Sequence, residues 1–323
     1  MRVALLLLGY AVALAALAPP YLTRAGWTSR APRLAIWAWQ TLTTSLVASV
    51  ALAGLAFAVP TVTISGNLAH VLRACMMALQ DQYAAPGGAS AAIAGIVLAV
   101  AVIARAIWTL TNRLLVARRE RTTHAHTLTM IGHPHRDLGV TVVDDNRPTA
   151  YCLPGRRHRV VLTTAALDAL TQPALDAVVA HEHAHIRQRH HLVLAYADGL
   201  AAAFPRVAVF ATAAEQIRRL LEMAADDAST ARTNPLTLAE ALINLAGTRT
   251  PTAALAASTG HTATRVRRLL NPPRPLHKPT AFAGALLAAT ALLLPLALVI
   301  QPAVAADSMN PCTLDTIAAQ HTR

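Results

Sequence analysis

Four stretches of this chain lack any Asp, Glu, Lys or Arg over a length that lets an α-helix cross a bilayer, roughly 20 apolar residues. They are residues 3–23, 34–59, 83–104 and 279–306. With 54% hydrophobic and 14% charged residues, the chain is too apolar for an ordinary soluble globule, and a membrane protein is the expected class. Pro19 and Pro20 are expected to cut the first helix short. That stretch also resembles a signal peptide ending at Ala16-Leu17-Ala18, but proline directly after the cut disfavours cleavage, so a retained helix is expected.

Charge orients the spans. Arg24, Arg30 and Arg33 occupy the first loop without an acid, and Arg105, Arg113, Arg118, Arg119 and Arg121 follow the third span. The loop at 61–82 holds only Arg73 and Asp81. By the bias of Lys and Arg toward the cytoplasm, residues 105–278 face the cytoplasm of a bacterial inner membrane, with both termini outside. The expected domains are three transmembrane helices in 1–112, a cytoplasmic domain in 113–278, a fourth helix in 279–301 and an outer tail in 302–323.

The net charge of +12 invites a nucleic-acid reading. Residues 105–278 hold 22 Arg and Lys against 13 Asp and Glu, with clusters at 113–121 and 265–278, beside the expected membrane boundaries. Anionic lipid headgroups account for such placement. Aromatic residues are only 4% of the chain, which leaves no stacking platform, so direct nucleic-acid binding is not expected. Cys152 is read as a small buried apolar residue, and Cys75 and Cys312 as outward-facing residues for which a disulfide is open but unsupported.

His181-Glu182-His183-Ala184-His185 carries the chemistry. Residues four apart share a helix face, so His181 and His185 can turn imidazole nitrogens toward one ion, with Glu182 beside them to hold a water and take its proton. A catalytic zinc needs a third protein ligand. Glu222, in Glu222-Met223-Ala224-Ala225-Asp226, is the best carboxylate for that place, and Asp226 one turn on is suited to orient a ligand imidazole. Arg265, with His261 behind it, is the candidate for stabilising an oxyanion. His183, His190 and His191 are read as surface residues.

Around the motif, residues 138–143, 150–153 and 159–163 read as strands about the Pro154-Gly155 turn. The edge of such a small sheet can hold an extended substrate by backbone hydrogen bonds. A helix from Thr171 and Pro173 to about His191 is expected to carry the motif, followed by an apolar stretch at 192–212 that turns back at Pro205 without crossing the membrane. Helices at about 213–230 and 236–246 follow. The fold class is a four-span helical bundle with a cytoplasmic α+β zincin-like domain inserted between spans three and four.

The order of spans and motifs resembles the membrane zinc peptidases of the BlaR/MecR type. The likeness rests on Ala150-Tyr151-Cys152-Leu153-Pro154-Gly155, the His181 to His185 motif, Leu221-Glu222-Met223-Ala224-Ala225-Asp226 and the Arg265-Val266-x-Arg268-Leu269 stretch. It implies Zn2+ held by His181, His185 and Glu222, Glu182 as base and acid, and cleavage of a cytoplasmic winged-helix repressor like BlaI or MecI. Such sensors carry an outer penicillin-binding domain, whereas residues 302–323 are too few for one. Two other functions fit the same residues: an HtpX-like or CAAX-type quality-control peptidase, which shares HExxH and Glu-x-x-x-Asp, and a non-catalytic membrane sensor with a structural zinc.

Overall fold

The structure, a computed structural model, describes residues 2–58, 88–155, 159–247 and 255–308. The 61–82 loop, residues 83–87 of the third expected span, Cys75, Cys312 and residues 309–323 of the tail lie outside the described residues. Among the described residues, four helices are long and apolar enough to cross a membrane: α1 (Arg2–Arg24), α3 (Pro32–Ala58), α4 (Gly88–Ile131) and α11, whose helix is Lys278–Ser308. The short α2 (Trp27–Arg30) lies between the first two. Contacts divide the chain into two compact units, one of residues 1–18, 44–105 and 287–323, the other of residues 19–43 and 106–286.

Contrary to expectation, Pro19 and Pro20 lie inside α1. Two ring nitrogens cannot donate, yet the Thr23 hydroxyl donates to the carbonyls of Pro19 (2.9 Å) and Pro20 (3.2 Å). Side-chain bonding of this kind is how apolar helices tolerate proline.

The first unit is apolar and helical. Among its described residues, three polar side chains are paired internally, as hydrocarbon surroundings demand. Tyr10 Oη and Ser45 Oγ both donate to Ala291 O at 2.7 Å, and Ser49 Oγ donates to Ser45 O at 2.7 Å. Small residues let α3 and α4 approach closely: a methyl group on Gly54 would sit 2.5 Å from Gly95 O.

The second unit is built on a four-stranded sheet, β1 (His133–His135), β2 (Val140–Val143), β3 (Ala150–Leu153) and β4 (Arg159–Thr163), in the order β1-β2-β4-β3. β1 and β2 are antiparallel, β2 and β4 parallel, β3 and β4 antiparallel, with Cys152 opposite Val160. β3 is therefore an edge strand. β1 escapes sequence reading because His-Pro-His has neither β-branched residues nor alternation. β2 begins at Val140, after the 138 start expected, because Gly139 (φ +65°) completes the turn from Arg136. Strand β4 buries Val160, Val161 and Leu162 almost wholly, since both faces of the sheet are covered. Val160 and Leu162 pack with Leu175, Val178 and Val179 of the motif helix, while Val161 packs with Leu128 near the end of α4.

Helices complete the unit. α5 (Thr164–Ala169) is capped by the Thr163 hydroxyl, which accepts from the Ala166 amide. α6 (Gln172–Arg187) carries the motif and starts where Thr171 and Pro173 indicate. It ends four residues short of the expected His191, because Arg189 adopts a left-handed conformation (φ 52°) and α7 (His190–Ala203) begins directly after it. A break at residues 204–207 separates α7 from α8 (Ala208–Thr230). Neither piece from 190 to 207 is long enough to span a bilayer. α9 (Pro235–Gly247) and α10 (Leu255–Leu270) pack Leu238, Ala239 and Leu269 against Ala177 of α6.

Candidate metal centre

On α6 the i, i+4 spacing brings the two motif imidazoles together, with His181 Nε2 and His185 Nε2 3.1 Å apart and the rings edge to face. Two bare nitrogens at this distance repel unless a proton or a cation lies between them. α8 supplies the third donor. Its buried stripe of Ala213, Ile217, Leu220, Leu221 and Ala224 seats the helix on the core, and this rotation presents Glu222 to the imidazoles. Glu222 Oε2 lies 3.6 Å from His181 Nε2, and Oε1 lies 3.6 Å from His185 Nε2. A tetrahedral ion with bonds of about 2.0–2.1 Å would separate its donors by about 3.3–3.4 Å. The 3.1 Å between the two nitrogens and the 3.6 Å from each nitrogen to a different Glu222 oxygen lie either side of that value, so these three residues fit a zinc ion.

Asp226 lies one turn beyond Glu222 and is 1% exposed; its Oδ1 is 3.1 Å from His181 Nδ1. A carboxylate there holds the ring with Nε2 free to face the ion. Arg265 of α10 then locks the acids in place. Its Nε donates to Asp226 Oδ2 (2.9 Å), its Nη2 to Asp226 Oδ1 (2.7 Å), and its Nη1 pairs with Glu222 Oε2 (2.9 Å). The guanidinium thus reaches the cleft, but all three of its nitrogens are committed to carboxylates, and Nη2 also comes within 3.4 Å of His181 Nε2. His261, expected behind it, is exposed and does not line the cleft, whereas Thr262 does.

The electrostatics follow from this crowding. Burial opposes charge on His181, but the acids at its two nitrogens, Asp226 and Glu222, win and push it up to about 9. Burial pulls His185 down to about 4. For Glu222, burial is outweighed by His181 and Arg265, which hold the carboxyl at about 2. For Asp226, burial is outweighed by Arg265 and His181, and the carboxyl lies well below the usual carboxylate range. Three carboxylates around one guanidinium leave surplus negative charge, as a divalent cation requires.

Glu182 lines the same cleft, of about 410 Å³, together with Tyr151, Cys152, Glu222 and Arg265. Burial raises its carboxyl above the usual range, as suits a proton acceptor working near neutrality. Three expectations fail here. Cys152 is half-buried in the cleft and hydrogen-bonded to Glu182, where burial and the Glu182 charge push its thiol up to about 12. The β3–β4 register, invisible in local sequence, puts it there. His190, expected at the surface, is 5% exposed, and its Nδ1 meets His185 Nδ1 at 2.9 Å. The left-handed Arg189 between α6 and α7 brings it back onto the motif. His183, also expected at the surface, is half-buried and bonded through Nδ1 to Val179 O on its own helix (2.9 Å).

No curated protein and no solved structure matches the chain. A family comparison does, over the end of α4, the sheet and α5 to α10: residues 114–272 match Peptidase family M48, a family of metallopeptidases. The described residues thus hold several long apolar helices and a metal-competent cleft of two imidazoles and a carboxylate, and residues 114–272 are similar to the peptidase M48 family.

Proposed function

We propose that this chain is a membrane-anchored zinc endopeptidase that holds its ion with His181, His185 and Glu222. The observation that carries the reading is the convergence of two imidazoles and the Glu222 carboxylate beside a half-buried Glu182 in one cleft. Zinc bound there would supply Lewis acidity toward a scissile carbonyl and an acidified attacking water. Glu182 is the residue that would take a proton at its carboxylate oxygen from an attacking water and return it to the leaving amine nitrogen. Asp226 keeps His181 turned to its task. Arg265 keeps Glu222 and Asp226 ionised and in place; service to an oxyanion would fall to Nη1, which now pairs with Glu222. The open edge of β3 offers backbone N–H and C=O groups to an extended substrate.

The substrate in this proposal is a cytoplasmic protein, a winged-helix repressor of the BlaI/MecI kind, and the domain lies on the cytoplasmic side of a bacterial inner membrane. Support comes from the arginine-rich segments after the first and third apolar stretches and from the motif order shared with BlaR/MecR-type peptidases. The test compares proteins cut in cells by the wild type and by Glu182→Gln, read as new N-termini. One repressor cut only by the wild type supports the regulatory reading. Many misfolded membrane proteins cut would replace it with an HtpX-like quality-control role, and stoichiometric zinc without any hydrolysis would leave a structural site.

A further inference from the structure

Beyond the turn that ends β3, a cavity of about 840 Å³ opens between the last turns of α4 and the end of α6. Arg118, Arg121, Arg159, Arg187 and Arg189 line it over a floor that includes Leu153 and Ile186. No acid lines it, and none of the five arginines pairs with a carboxylate among the described residues. Five like charges around one hollow repel one another, and nothing in the packing of the fold needs them together. Arg187, in the last turn of α6, complements the helix dipole. That accounts for one of the five. Arg118 and Arg121 come from another helix, and Arg159 from a strand.

We propose that this cavity is a specificity subsite for an acidic stretch of the polypeptide substrate; the proposal rests on the peptidase reading above. Continuity with the cleft argues for a peptide. Cys152 lines the metal cleft, and Leu153, Pro154 and Gly155, the next residues of the same chain segment, line the basic cavity. A chain extended along the edge of β3 past Cys152 runs toward Pro154 and Gly155 at the mouth of the cavity. Its size lies in the range that accommodates a bound ligand, about 300–1,000 Å³. A lipid headgroup is the other anion to consider, and distance argues against it. Arg118, 5 positions past Arg113 and so about 8 Å along the helix at about 1.5 Å per residue, stays within reach of headgroups, but Arg121 to Thr129 lie 8 to 16 positions past it, about 12–24 Å along. The headgroup layer is only about 5–8 Å thick on each side of the hydrocarbon.

The test uses the full chain in neutral phosphatidylcholine nanodiscs, with three peptides sharing one scissile core. One carries a Glu/Asp run upstream, one downstream, and one carries Gln/Asn in both places. An acidic run on one of the two sides, and not the other, should raise kcat/KM about tenfold over the neutral peptide, as two or three half-exposed ion pairs allow. In Arg118→Glu/Arg187→Glu that ratio should fall at least to unity, and a Lys-run peptide should become the better substrate; retained zinc shows that the variant is folded. Binding of the acidic peptide to Glu182→Gln, which should weaken with added salt, checks the subsite without turnover. Equal rates for all three peptides would overturn the subsite while leaving the peptidase standing, whereas absence of all hydrolysis would strike the peptidase reading itself. If anionic lipid in the nanodisc displaces the acidic peptide through the same two arginines, the site belongs to the membrane and the proposal fails.

Discussion

The Nδ1 atoms of His185 and His190 face each other at 2.9 Å across the break between α6 and α7. With His185 Nε2 turned to an ion, its Nδ1 must carry the proton and donate it, so His190 Nδ1 accepts. His190 Nε2 is then protonated and lies 3.3 Å from Gln188 Oε1. The pair selects one tautomer of a ligand. His190→Ala should weaken zinc binding about 10–100-fold, measured by competition with a chromophoric chelator. His190→Asp, which restores an acceptor, should recover part of the loss. Unchanged affinity in the Ala variant would show the contact to be incidental.

Glu182→Gln should keep one zinc per chain and lose detectable cleavage, because an amide cannot take a proton from water. His181→Ala should lose metal and activity together, since His181 is both a donor and the partner of Asp226. Metal analysis beside peptide mass spectrometry separates the two outcomes. Residual proteolysis by Glu182→Gln would remove Glu182 from the mechanism.

Arg265 and Asp226 form a two-bond ion pair whose side chains are 12% and 1% exposed. Removing one partner strands a buried charge, so Arg265→Met should cost about 3–5 kcal/mol, seen as a lowered melting temperature in detergent. The double variant Arg265→Met/Asp226→Leu should lose less than the sum of the single changes. Additive losses would mean that the two residues do not act as a pair.

Acid should expose the same cluster in chelator-treated protein. Asp226 and Glu222 both titrate below their ordinary values in the folded state. Their contribution to stability is full above the unfolded carboxyl values of about 4 and is lost as pH falls through the folded ones. Melting temperature should therefore drop below about pH 4, and Asp226→Asn should flatten that drop. An identical acid slope in wild type and variant would contradict the assignment.

Gly54→Ala forces a methyl group to within 2.5 Å of Gly95 O, where backbone must give way. A loss of about 1–3 kcal/mol is expected from reversible unfolding in mixed micelles. Gly9→Ala, with nothing within 4 Å of the added methyl, serves as the comparison and should be neutral or better.

The apolar stretches were legible because span length and the absence of charge are local properties, as was the His181–His185 pairing, fixed by helical periodicity. Glu222 and Asp226 could be nominated for the same reason, one turn apart on one face. Local rules failed where a left-handed residue intervened: Arg189 ends α6 early, and that break converts His190 from an expected surface residue into the partner of His185. They failed at Pro19 and Pro20 too, where the Thr23 hydroxyl rather than sequence propensity decides that the helix continues. Cys152 beside Glu182 and Arg265 across Asp226 and Glu222 depend on strand register and helix packing between residues 30 to 43 positions apart. By itself the sequence determined which side chains were chemically able to hold an ion and which helices could enter a bilayer. Tertiary structure decided which of those side chains meet, because convergence of α6, α8, α10 and β3 comes from burial of their apolar faces, which no short window of sequence contains.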